Sequence, residues 1–240
     1  MKIGVVSDIH GNIEALKAVF EVFESEKCDR VISLGDVVNI GPYSKECLEF
    51  LKSKKNVICL QGNHEEYCLK ITTLPLWIST GEKKHSEWSS KEIGGELLEW
   101  ISQWKCEYTM ILGKTKLYFC HYAFEKDERK IIEGKKFKPF IRENFESELD
   151  KYFQEIDTDI IFYGHEHQGG EICSKKRYVN VGSSGCTESD VTHGTIISLV
   201  EDGIEITKVE KIYNRSKIIS AFEKKDVPEK EFILKVFYKS

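Results

Sequence analysis

Proline is scarce in this chain, with 4 among 240 residues, and no stretch is low in complexity. A long disordered linker is therefore excluded, because such segments are rich in proline and polar repeats. An excess of positive charge is also missing: 35 Lys and Arg face 40 Asp and Glu, a formal net charge of −5. Sequence-independent nucleic-acid binding needs a basic footprint, so that class is disfavoured. No long hydrophobic run occurs. The first apolar stretch, IGVVS, follows Met1-Lys2 and is too short for an export signal or a membrane span. A cytoplasmic protein with no membrane partner is expected. The 8 cysteines contain no C-x-x-C pair, which removes the spacing of a cysteine zinc site. They read as free thiols packed as small hydrophobes in a reducing compartment.

The composition that is present, 40% apolar and 31% charged, is that of a globular protein. The first half alternates between two periods. KIGVVS, RVISL and NVICL are near-continuous apolar runs rich in β-branched residues. Between them, residues 12–26 and SKECLEFLKS carry apolar side chains at helical spacing, the second helix opening at Ser44 as a candidate N-cap. Such alternation predicts parallel β-α-β units buried on both faces. Residues 64–71 read as a short helix, and residues 82–102 as one longer helix containing Gly94-Gly95. Hairpins follow at 107–120 and 194–213, with helices predicted over 142–155, 215–225 and 229–238 and strands in TDIIFYG and RYVNVG. Residues 125–140 read as a charged loop. An α/β fold of two packed sheets with helices outside is expected.

Chemistry gathers at the ends of the predicted strands. The first ends in Ser7-Asp8-Ile9-His10, the second in Gly35-Asp36 and the third in Gly62-Asn63-His64. A hairpin strand ends in Cys120-His121, and a later strand in Gly164-His165-Glu166-His167. Ligands of open α/β sheets sit outside the carboxyl ends of the strands. Taken singly, each residue has a plainer reading: Asp8 a helix cap, Asp36 a turn residue, His121 a hydrogen-bonded structural imidazole. Taken together, they form a mixed nitrogen and oxygen donor set larger than one ion needs. Two ions about 3.5–4 Å apart, bridged by a carboxylate, would use it. Asp8 and Asp36 cancel only part of the charge of two divalent cations, so the site stays cationic and attracts phosphate.

Asp8-x-His10, Gly35-Asp36, Gly62-Asn63-His64, His121 and Gly164-His165-x-His167 resemble the five ordered motifs of the calcineurin-like metallophosphoesterases. LGDVVNIGPYSKECLEFL with the following GNHEE is similar to the bacterial and archaeal branch related to diadenosine tetraphosphatase and small cytosolic phosphodiesterases. The resemblance implies a four-layer α/β/β/α sandwich of two mixed sheets flanked by helices. It implies a domain over 1–212 with a helical extension, 213–240, packed on it. Asp8, His10 and His167 would hold one divalent ion, Asn63, His121 and His165 a second, and Asp36 would bridge them. Mn, Fe, Ni, Zn and Mg all suit these donors, with Mn or Fe favoured. His64 would contact the substrate phosphate and help protonate the leaving oxygen. The implied enzyme is a metal-dependent phosphoesterase that hydrolyses a small phosphodiester or dinucleoside polyphosphate by direct attack of a bridging hydroxide.

Two rivals stand beside it: a nuclease on DNA or RNA, and a catalytically silent binding scaffold of the same fold. No stable nucleic-acid complex is expected. A homo-oligomer is left open, with a dimer contact as the second reading of the terminal helices. Elsewhere, His85 and His193 match no motif and read as solvated or satisfied. Trp77, Trp88, Trp100 and Trp104 read as core rather than as a nucleobase platform. The lysines of 125–140 read as a solvated charge run, with contact between Lys135 or Lys136 and a distal phosphate as the alternative. Tyr122 and Asn39-Ile40 depart from the residues common in relatives, which have Gly after the histidine and Gly-Tyr respectively.

Overall fold

Each predicted β run becomes a strand whose side chains divide between two apolar layers. The computed structural model describes residues 1–240, apart from the side chain of Ile132. Along the chain, β1 (Lys2–Val6), α1 (Ile13–Ser25), β2 (Arg30–Ser33), α2 (Ser44–Ser53) and β3 (Val57–Cys59) form the expected alternation. They are followed by α3 (Asn63–Leu69), a 3-10 turn at Ile71–Thr73, α4 (Thr80–Ile93) and α5 (Gly95–Ser102). The hairpin β4 (Glu107–Leu112) and β5 (Thr115–Cys120) leads to α6 (Glu128–Ile132), α7 (Phe145–Tyr152) and β6 (Ile160–Tyr163). Then come β7 (Gly170–Cys173), β8 (Arg177–Asn180), the long hairpin β9 (Val191–Val200) and β10 (Gly203–Ile212), and α8 (Arg215–Lys224). The chain closes with α9 (Lys230–Ile233) and a π-helical turn, Leu234–Tyr238.

Two five-stranded sheets result, ordered β10-β9-β1-β2-β3 and β4-β5-β6-β8-β7. Both are mixed. β1, β2 and β3 are parallel, as are β5, β6 and β8, while the remaining neighbours pair antiparallel. Three apolar clusters separate four layers. Ile3, Val5, Ile32, Phe119, Phe162 and Val179 meet between the sheets. The outer face of the first sheet is covered by α1, α2, α5 and α8 through Leu16, Phe23, Leu48, Ile101 and Phe222. On the second sheet, Tyr118, Ile161 and Tyr178 pack under Leu149 and Phe153 at α7. Successive residues of β5 and β6 thus face opposite clusters, the period of two that a doubly covered strand requires.

Four local expectations are corrected. The helix predicted over 82–102 is two helices, broken at Gly94, which has φ 79° and ψ 161°. Only glycine adopts that conformation freely. The charged segment 125–140 contains α6, capped by the Asp127 carboxylate accepting from the Arg129 N–H at 3.0 Å. The edge strand β7 was not expected; its mostly exposed residues carry no apolar alternation. Ser44 is the first helical residue of α2 rather than its cap, and its Oγ accepts from the Asn39 N–H at 3.0 Å. No helix among the described residues is long and apolar enough to cross a membrane.

Candidate metal centre

The strands β1, β2 and β3 of one sheet and β5 and β6 of the other deliver their carboxyl ends to one place. All seven predicted ligands meet there. His10 Nε2 lies 3.2 Å from His167 Nε2 and 3.8 Å from both Asp8 Oδ1 and Asp36 Oδ2. His167 Nε2 is 3.5 Å from Asp8 Oδ1. On the other side of Asp36, His121 Nε2 is 3.2 Å from Asp36 Oδ2, Asn63 Oδ1 and His165 Nδ1. Three overlapping groups of close donor atoms result, Asp8–His10–His167, His10–Asp36–His64 and Asp36–His121–His165. His64 Nε2 is 3.9 Å from Asp36 Oδ2.

The donor set fits cations. His10 Nδ1 lies 3.2 Å from the Val38 carbonyl, which can only accept, so Nδ1 carries the proton and Nε2 presents a lone pair inward. That lone pair faces another imidazole nitrogen and two carboxylates. One nitrogen of His121 cannot donate to three partners at once. Such crowding of lone pairs in a buried place is relieved by positive charge between them. Asp8, His10 and His121 are fully buried and Asp36 almost so, whereas His64 and His167 reach the surface.

Ionisation follows the same logic. Burial pushes the Asp36 carboxyl up, but the charges of His121 and His64 outweigh it and hold it well below the usual range. Asp8 is likewise lowered against burial, chiefly by its hydrogen bond to His167 and the charge there. Burial would lower His121, yet Asp36, Asp8 and Glu65 raise it to about 9. Burial and neighbouring imidazoles push His10 and His165 down to about 3.

The backbone positions of the cluster are strained and braced. Asp8, His10, Asp36, His165 and His167 all have φ between 47° and 70°, the left-handed region. Such conformations persist where the surroundings over-determine them. Here the Asp8 N–H donates to the Gly35 carbonyl at 3.1 Å and the His10 N–H to the Asp36 carbonyl at 2.9 Å. The Asp8 carbonyl in turn accepts from Ser183 Oγ at 2.7 Å and from the Gly185 N–H at 3.1 Å. Gly185 approaches so closely that a Cβ there would lie 1.7 Å from the Ile9 carbonyl oxygen.

Sequence reasoning missed two such braces. One is the turn Gly182-Ser183-Ser184-Gly185 after β8, whose small residues were the available signal. The other is Glu65, fully buried, whose carboxylate accepts from the N–H groups of Gly62, Asp36, Val37 and Val38 at 2.7–3.3 Å. Burial and the Asp36 charge raise it to about 7. Its placement directly after Asn63-His64 was the only clue.

Over the cluster opens a cavity of about 610 Å³ whose floor includes Asp36, Asn63 and His165. Lys135, Lys136 and Lys138 line it, so the charged segment reaches the site rather than standing wholly in solvent. Lys136 is 3.9 Å from Glu66, and Lys138 donates to Glu125 at 2.7 Å. Trp77 is not core: it is 50% exposed and lines the same cavity, its Nε1 donating to the Glu133 carbonyl at 3.2 Å. Of the other tryptophans, Trp104 is buried and Trp88 and Trp100 only half-buried. Tyr122 stands behind His165, ring centroids 5.0 Å apart, and donates to Glu166 at 2.6 Å. His85 is buried with Nδ1 3.1 Å from the Pro228 carbonyl, and His193 is half-buried near Glu210. Neither joins the cluster. The eight cysteines are free thiols.

Comparison with known proteins gives the chain its family. The family model of the calcineurin-like phosphoesterases matches residues 1–169. An uncharacterized protein of Methanocaldococcus jannaschii is 25% identical over 95% of this chain and 94% of its own length. The symmetrical bis(5'-nucleosyl)-tetraphosphatase of Pseudomonas fluorescens is 32% identical, but over only 42% of this chain and 36% of that enzyme. The crystal structure of a metallophosphoesterase from Sphaerobacter thermophilus superposes with a TM-score of 0.73, covering 97% of this chain and 96% of that one at 21% identity. The chain belongs to the calcineurin-like phosphoesterase family. Its family is one of metal-dependent phosphoester hydrolases, and its fold is that of the family.

Proposed function

We propose that the chain is a dinuclear-metal phosphoesterase acting on a small phosphodiester or a dinucleoside polyphosphate. The observation that carries this reading is the convergence of seven nitrogen and oxygen donors from five strand ends on one point, with Asp36 in the middle. Asp8, His10 and His167 would hold one ion, Asn63, His121 and His165 the other, and Asp36 would touch both. When bound, such ions lower the pKa of water and polarise phosphoryl oxygens.

The chain's own residues do the rest. Glu65 and the 182–185 turn fix the ligand loops, so little reorganisation accompanies the reaction. His64 lines the cavity, where it would face the phosphoryl group and the leaving oxygen of a bound substrate. The cavity has the volume of a small-molecule site, which supports a nucleotide-sized substrate over a duplex. Lys135 and Lys136 lie where a distal phosphate would reach. The tetraphosphatase relative supports the polyphosphate option. We read residues 1–212 as the catalytic domain and 213–240 as an extension of it, since Ile218, Phe222 and Tyr238 join the core over α1 and Phe237 lines the cavity.

The test is hydrolysis of a phosphodiester, a phosphomonoester and a dinucleoside tetraphosphate with Mn, Fe, Ni, Zn or Mg, with His64→Ala as control. Turnover of the diester or the tetraphosphate that requires metal and falls at least about 100-fold in the control is expected. A metal-loaded protein that turns over none of the three would leave the silent-scaffold reading in its place.

A further inference from the structure

The metal centre makes no use of Trp77, which is 50% exposed and borders the cavity above it. An indole left half in water forgoes the burial that its large apolar surface would gain in a core. Its position is nonetheless fixed. Nε1 donates to the Glu133 carbonyl at 3.2 Å, so the one polar atom of the ring is satisfied by protein. Two residues earlier, Pro75 packs so closely on Gly134 that a Cβ there would collide with the pyrrolidine ring. The turn that carries Trp77 is thus pinned to the 133–134 backbone at two points. The indole meets the Tyr67 ring at 74° with centroids 6.3 Å apart, and Tyr67 meets the His64 ring at 5.2 Å. A T-shaped contact covers at most one face of the indole, and the exposed half of the side chain borders the cavity.

The wall beside it carries positive charge. From Gly134 the chain runs directly into Lys135 and Lys136, both of which line the cavity. Glu66 lines it too, but its carboxylate accepts from Lys70 at 2.5 Å. Lys136 Nζ stands 3.9 Å from Glu66, beyond hydrogen-bond distance, so its N–H groups remain for a bound anion. Phe140, the other exposed aromatic residue of the lining, offers less: it already stacks on His165 at 4.6 Å and 28°. A fixed aromatic face, ammonium groups next to it and the donor cluster below therefore share one cavity of about 610 Å³. Resting on the phosphoesterase reading above, we propose that Trp77 is a nucleobase platform, so that the substrate is a nucleotide ester whose base stacks on the indole while Lys135 and Lys136 hold the phosphates between base and metal centre. An ester without a base would be held by its phosphate alone.

Equilibrium binding tests this without turnover. The two ligands are the methylene phosphonates of AMP and of ribose 5-phosphate. They share ribose and phosphonate, differ by the base, and carry a carbon–phosphorus bond where the ester would be cleaved. Calorimetry on the manganese-loaded wild type is expected to show the AMP analogue bound at least about fivefold more tightly than the ribose analogue, as stacking on an aromatic side chain provides. Trp77→Ala should bring the two ligands to within about twofold of each other by weakening the AMP analogue alone, and Trp77→Phe, which keeps a ring, should retain a preference of at least about threefold. A wild type without the preference, or a preference that survives Trp77→Ala, would overturn the proposal. Equal weakening of both ligands by Trp77→Ala would overturn it as well, since a merely structural residue gives that result. Trp77-dependent preference in a wild type that hydrolyses no phosphoester would uphold the platform and remove the phosphoesterase reading alone.

Discussion

Glu65 accepts four backbone N–H groups, three of them from the loop that carries Asp36. Glu65→Ala would orphan all four in a buried place, at roughly 1–3 kcal/mol per unpaired group where water cannot enter. A loss of at least about 3 kcal/mol in unfolding free energy is expected, read by denaturant melts of the metal-free protein. A change below about 1 kcal/mol would show that the brace is dispensable. Glu125 gives a prediction in pH. Its buried carboxylate accepts from Lys138 and Lys130 and from the N–H groups of Lys126 and Asp127, and Lys138 foremost lowers it to about 2. A lowered carboxylate contributes stability above its unfolded value of about 4.3, and that contribution is lost as pH falls toward 2. The stability gap between wild type and Glu125→Gln should therefore be full at neutral pH and shrink below about 4.5. A gap independent of pH would deny the charge its part. The motif residues were legible one by one because their types and order carry the chemistry. Glu65 was not, because its partners are main-chain groups that only the folded loops bring together.

At the scale of elements, the strands were more legible than the helices around them. The doubly covered β1, β2, β5 and β6 each carry an unbroken apolar run, IGVV, VI, LYFC and IIFY, and the burial of those runs leaves little freedom. The edge strand β7 has no buried side chain and so no pattern to read. The break between α4 and α5 was written as Gly94-Gly95 but outweighed by the apolar spacing on either side. Nothing lies within 4 Å of a Cβ added at Gly94, so Gly94→Ala isolates backbone strain from clash. A loss of about 1–3 kcal/mol is expected by the same melts, whereas Gly95→Ala, equally unobstructed and inside α5, should be neutral or stabilising. Equal effects at the two positions would mean that the left-handed break is not required. Trp77 was misplaced for a related reason: its helical neighbours suggested core, but the turn before α4 carries it out to the cavity mouth.

For the whole molecule, the central feature is that two sheets share one edge chemistry. Five motifs dispersed over 160 residues, from Asp8 to His167, predicted a single cluster, and the parallel order of β1-β2-β3 and β5-β6 brings their ends together. The cavity above the cluster was less legible. Its walls come from the 135–140 segment, the turn at Trp77 and the terminal residues Val236 and Phe237, which share no motif and meet only after both sheets have packed. The most direct measurement is anomalous X-ray diffraction from manganese-loaded crystals, recorded at the manganese edge. Two peaks are predicted, one among Asp8, His10 and His167 and the other among Asn63, His121 and His165, with Asp36 between them. A single peak, or manganese bound away from Asp36, would contradict the dinuclear site.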